Sequence, residues 1–112
     1  MVTQIKLTAN EAEKIAFDFL MDEWRLLPED QDWFSVLTSR LVDQSWYIIE
    51  IGIEGLPDKW VLQVYDTRQC DPNYTFITPI SASEQNTGLA DFPDKIAEVL
   101  AAERNSWIIL GH

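Results

Sequence analysis

The spacing of apolar residues along this chain changes near Trp33 from three-and-four to two, and that change determines the class of fold. Ala12, Ile15, Ala16, Phe19 and Leu20 form a single stripe along a helix. From Trp33 to Ile80 the apolar positions alternate instead, and β-branched and aromatic residues dominate. A helix followed by successive strands gives an α+β domain in which the helix covers one face of an antiparallel sheet.

Local signals set the ends of the first helix. Thr8 and Glu11 have the spacing of a capping box, in which each residue satisfies the other's free backbone amide. Glu11, Lys14, Asp18, Asp22 and Arg25 make the wet side, with Lys14 four residues from Asp18 and placed to pair with it. Pro28 disfavours helical geometry at Leu27, so the helix is expected to stop near Leu26.

Four strands are expected, at residues 33–42, 46–54, 59–66 and 74–80. Gly55-Leu56-Pro57-Asp58 reads as a four-residue hairpin loop. It would set Glu54 opposite Lys59, Ile53 opposite Trp60, Ile51 opposite Leu62 and Ile49 opposite Val64. A one-residue slip would turn Trp60, Leu62 and Val64 to the wrong side. Ile15, Phe19 and Leu20 of the helix would then meet Ile49, Ile51, Leu62 and Val64. A tight loop at Asp43-Gln44 places Trp33, Leu37 and Leu41 beside Trp46, Ile48, Val61 and Tyr65 on the other face, interrupted by Ser39, Glu50 and Gln63. A face left wet should be mostly polar, and this one is half apolar. Either a second helix covers it or something outside the chain does.

That second helix is expected to begin at Asp91, with Pro93 in its first turn, and to run to about Arg104. Phe92, Ile96, Val99 and Leu100 line one of its sides. Residues 81–88 form a polar connection, and residues 106–112 are free to add a short strand or dock as an extended arm. The expected order is α-β-β-β-β-α in a single domain spanning residues 1–112.

Composition restricts what such a domain does. Among 112 residues, 8 Lys+Arg stand against 19 Asp+Glu, a formal net charge of −11. Nucleic acids and anionic membranes are bound through cations, and eight scattered ones make no basic stripe. Basic proteins remain compatible partners. No apolar run exceeds four residues, and the start lacks the apolar core of a signal peptide, so a cytoplasmic protein is expected.

Chemistry finds little to work with, and no metal or cofactor is expected. Cys70 is the single cysteine, which excludes an internal disulfide or a multi-cysteine metal site. The acids from Glu11 to Asp32 lack the Gly and closing Glu of a calcium loop. His112, the lone histidine, is the last residue of the sequence, where a side chain is poorly held for acid–base work. The four glycines form no phosphate loop, and Asn73-Tyr74-Thr75 matches a glycosylation sequon without a secretory signal. An acid–base pair would have to come from Glu50 with Asp66 or Tyr65, and no spacing singles them out. Five tryptophans supply large buried area, with Trp60 expected in the core and Trp33 and Trp46 on the second face.

The segments Leu7-Thr8-Ala9-Asn10-Glu11-Ala12-Glu13-Lys14-Ile15-Ala16, Ser45-Trp46-Tyr47-Ile48-Ile49-Glu50-Ile51 and Trp60-Val61-Leu62-Gln63-Val64-Tyr65-Asp66-Thr67 resemble PepSY-type domains and related small immunity proteins of half-cystatin architecture. The likeness covers about residues 7–67. Where that family carries a Gly after the turn, Arg68 and Gln69 follow Thr67, and its members are typically exported. The resemblance implies a non-catalytic binding or inhibitory role and brings no active-site residue with it.

The expected function is therefore a protein-interaction module that uses Trp33, Leu37, Trp46, Ile48, Val61 and Tyr65 to bind another protein or a second copy. Two alternatives are an acidic inhibitor that neutralises a basic partner and a small-ligand site between helix and sheet.

Overall fold

The computed structural model describes residues 7–79 and 89–109. In chain order these are α1 (Ala9–Trp24), a one-turn helix α2 (Pro28–Gln31), β1 (Phe34–Val42), β2 (Trp46–Ile53), β3 (Lys59–Tyr65), β4 (Thr75–Ile77), a 3-10 turn (Leu89–Asp91) and α3 (Asp94–Ile109). The strands form one antiparallel sheet in the order β1-β2-β3-β4. The molecule is thus an α+β fold with a helix at either end of a meander. Among the described residues, no helix is long and apolar enough to cross a membrane.

The capping box forms as the spacing requires. Thr8 Oγ1 accepts from the Glu11 amide and Glu11 Oε1 from the Thr8 amide, each at 3.2 Å. The helix ends at Trp24, because Arg25 takes a left-handed conformation (φ 54°) and its N–H turns back to Asp22. Leu27 is extended ahead of Pro28, which opens the unforeseen α2. Ala12, Ala16, Leu20 and Met21 are buried, while Ile15 and Phe19 are only partly so. Leu20 thus meets the sheet as expected, with Ala12 and Ala16 beside it, while Ile15 and Phe19 pack against the core only in part.

The β2–β3 register is displaced by two residues from the expected one. Gly52 lies opposite Lys59, Ile51 opposite Trp60, Ile49 opposite Leu62 and Trp46 opposite Tyr65. A slip of two preserves which side chains face the helix, so Trp60, Leu62 and Val64 are still buried. The loop accounts for the change. Leu56 N–H closes a turn onto Ile53 O at 3.1 Å with Gly55 at φ 91°, a position that suits glycine. Pro57 has no N–H to offer a ladder, and Asp58 is drawn inside by Arg104. Lys59 therefore meets Glu50 at 3.2 Å and not Glu54.

The turn between β1 and β2 holds Asp43 and Gln44 in the left-handed region (φ 51° and 59°), which matches the twist of a hairpin. A bulge between Val36 and Thr38 then divides β1. Phe34 and Val36 lie opposite Ile53 and Ile51, on the helix side. Beyond the bulge Ser39 and Leu41 lie opposite Ile49 and Tyr47, again on the helix side, and Ser39 Oγ donates to Glu13 at 2.7 Å. Leu41 is thus not on the face of Trp46, contrary to the uninterrupted alternation. Leu37, at the bulge, covers Gly52 from the other face, where a Cβ at residue 52 would come within 2.8 Å of Leu37 Cδ1.

α3 begins at Asp94 and not Asp91, since Phe92 N–H returns to Leu89 O and the Ala97 amide bonds Pro93 O. It continues through Ile109, which corrects the strand or extended arm expected after Ser106. No Pro or Gly interrupts the chain there, and the inward series Ile96, Leu100, Arg104 and Trp107 keeps helical spacing. Ile80, the 81–88 connection and residues 110–112, with His112, lie outside the described residues.

Trp60 shows that both helices lie on one side. Its buried ring meets Trp24 of α1 at 4.9 Å, and its indole N–H donates to Glu103 of α3 at 2.7 Å. Phe34 and Phe76 complete the cluster at 5.7 and 5.1 Å, and Trp107 stands edge-on to Phe76.

Candidate functional site

With both helices on one side, no described element covers the other face of the sheet. The pairing arranges that face in rows. Val42, Trp46 and Tyr65 form the first row and Arg40, Ile48 and Gln63 the second. Thr38, Glu50, Val61 and Thr75 make the third, and Leu37 over Gly52, Lys59 and Ile77 the fourth. Trp46, Ile48, Val61 and Tyr65 are partly exposed and Leu37 is 48% exposed. Trp33, 42% exposed, lies ahead of β1 with its ring 5.1 Å from Phe92. Five of the six residues selected by sequence therefore share a face, and Trp33 stands apart.

The charged groups at one end of this face are held in place. The rings of Trp46 and Tyr65 lie 6.4 Å apart, and the Tyr65 hydroxyl donates to Asp71 Oδ2 at 2.8 Å. That bond to a carboxylate raises the phenol pKa above its ordinary value. Asp71 is lowered, first by the Asn73 amide and then by the phenol. The Asp66 amide donates to Ser45 O at 3.1 Å, tying the β3 exit to the β1–β2 turn that carries Asp43. Arg68 reaches α1, where it bonds Glu11 at 3.0 Å. This bond is the foremost single cause that lowers the Glu11 pKa, followed by the bonds from the Thr8 amide and hydroxyl. Cys70 is half-buried, and burial pushes its thiol up to about 11, so it is an inert thiol at neutral pH.

A second cluster lies under α3 and was not anticipated. Arg104 donates through Nε to Asp58 Oδ1 at 2.9 Å and through Nη2 to Oδ2 at 2.6 Å, with both side chains 1% exposed. Beside them Glu103 accepts from Trp60 Nε1 and, at 3.5 Å, from the Tyr74 hydroxyl. The one sequence signal was that Glu103 and Arg104 continue the apolar stripe of α3, where a charge needs a buried partner. The space between α1 and the sheet, where the second alternative set a small-ligand site, holds Leu20, Ile49 and Leu62, all fully buried. An open depression of about 630 Å³ lies outside it along α3, bordered by Phe92, Ala97 and Ala101, and its charged lining is Asp94 and Glu98.

The Glu103 carboxyl gives a pH signature. Burial raises its pKa above the ordinary 4.5, against the opposing bonds from Trp60 and Tyr74. An acid raised in this way holds more protons folded than unfolded. Its contribution is most favourable below the unfolded pKa and declines as pH rises through the folded one. Glu103→Gln keeps an acceptor for Trp60 and removes that dependence. Urea melts are expected to show the variant gaining on the wild type as pH rises above about 4.5. A constant gap would contradict this.

Among the described residues, no group of three or more His, Cys, Asp or Glu is placed to hold a metal ion. No family model, curated protein sequence or solved structure matches this chain.

Proposed function

We propose that the chain is a non-catalytic protein-interaction module that receives its partner on the open face of the sheet. The observation that carries this reading is the placement of α1 and α3 on one side, with Trp46, Ile48, Val61 and Tyr65 left on the other. Partly exposed aromatic and aliphatic side chains held on a sheet offer contact area at little entropic cost, and Trp and Tyr are enriched where binding energy concentrates. The likeness of residues 7–67 to PepSY-type and immunity-type domains, which implies a binding or inhibitory role, also supports it.

A photo-crosslinking side chain at position 48 tests the proposal in cells. It is expected to yield a discrete protein adduct, or a dimer, that a crosslinker at Lys14 on the wet side of α1 does not. Trp46→Ala should reduce the yield by about tenfold or more, the usual effect of losing a central aromatic. The same adducts from both positions, or a yield indifferent to Trp46→Ala, would refute the assignment.

A further inference from the structure

The open face is not uniform in charge, and its asymmetry indicates the partner. At the Trp46–Tyr65 end, Asp43 stands in the turn three residues before Trp46, Asp66 follows Tyr65 directly, and Asp71 is bonded to the Tyr65 hydroxyl. Arg68 is close in sequence, yet its guanidinium is engaged by Glu11. At the other end Lys59 is matched by Glu50 at 3.2 Å. Arg40, in the row beside Trp46, is the cation of this face that does not appear in a described ion pair, and it lies on the β1 side. An aromatic pair with one carboxylate bonded to it and two exposed acids in the adjoining turns, on a chain of net charge −11, is complementary to apolar and cationic side chains together.

Building on the proposed function, we infer that the occupant of this face is a basic segment of another protein, with an aromatic or aliphatic side chain between lysines or arginines. It lies over β2 and β3, away from Arg40. The apolar residue meets Trp46 and Ile48. The flanking cations reach the carboxylates of Asp43, Asp66 and Asp71, and the aromatic faces attract them in addition. The field of the whole chain draws such a segment in. Arg40 repels it and limits the footprint on the β1 side. A second copy is disfavoured as occupant because it carries the same −11.

Panning a random library of twelve-residue peptides against the whole chain tests this, with the selected peptides measured by fluorescence anisotropy. The expected result is enrichment of peptides with net positive charge that contain Trp, Phe, Leu or Ile. Their affinity should fall about tenfold or more on raising salt from low to high, because surface attractions are screened. Asp43→Lys and Asp66→Lys should each weaken binding several-fold. Arg40→Glu should strengthen it, an effect that mere loss of structure does not produce. Trp46→Ala should abolish it, with thermal melts confirming that every variant is folded.

Neutral or acidic peptides that still depend on Trp46 would overturn the basic partner and leave the open face as a docking site. Peptides indifferent to Trp46→Ala, or no enrichment at all, would overturn both.

Discussion

Asp58→Ala is expected to destabilise the domain by about 3–5 kcal/mol, because it leaves the Arg104 guanidinium buried without its carboxylate. The pair is 1% exposed on both sides and bidentate, so water cannot replace the missing partner without opening the α3 junction. In a domain of this size each kcal/mol lowers the melting temperature by about 4 °C, so the loss is visible in a simple thermal melt. Adding Arg104→Met should recover much of the deficit, since an apolar pair of similar volume is often close to neutral in place of a buried ion pair. A single variant melting within a degree or two of the wild type would contradict the buried geometry. So would a double variant as unstable as the sum of its parts.

The second large effect separates the two faces of β2. Ile51 is fully buried opposite Trp60. Ile51→Asp puts a carboxylate among aromatic rings and removes a side chain whose burial contributes about 1.5–3 kcal/mol. Added to the desolvation of the charge, this approaches the whole stability of a small domain, about 5–15 kcal/mol, and the variant should not fold. Ile48→Asp, three residues earlier and on the open face, should keep a cooperative melt with a loss of about 1 kcal/mol. Circular dichroism of the pair is sufficient. Equal damage at the two positions would mean that the second face is not open.

The contrast between these positions reflects what the sequence could reveal. Alternation assigned Ile49, Ile51, Leu62 and Val64 to the helix side and Trp46, Ile48, Val61 and Tyr65 to the other, and the pairing places them so. Alternation cannot distinguish registers two residues apart, because both put the same side chains on the same face. The choice was made in the loop, where the Ile53–Leu56 turn with Gly55 at φ 91° and Pro57 bring the chain back early, and the Asp58 that follows is held by Arg104, 46 residues away and invisible to any local pattern. Leu41 was misplaced for a related reason: nothing local marks the bulge at Leu37, which reverses the alternation after it.

α3 was read correctly where its stripe is apolar, at Ile96, Val99 and Leu100, and stopped early where the stripe becomes charged. Its side of the sheet depended on Trp60 meeting Glu103, again a distant contact. Of the candidate surface, the four central residues were legible, whereas the departure of Trp33 toward Phe92 was not. The helix cap at Thr8 and Glu11 needed only four neighbouring residues and formed as read.

The Asp58–Arg104 link also affects how the domain assembles. Removing a guanidinium from water is favourable only with its carboxylate in place, so the pair is expected to close late, as α3 docks on the meander. The link then tightens on the native side of the folding barrier. Breaking it is then expected to accelerate unfolding and leave the rate of refolding nearly untouched, so that this contact governs how long a folded molecule lasts more than how quickly it is made.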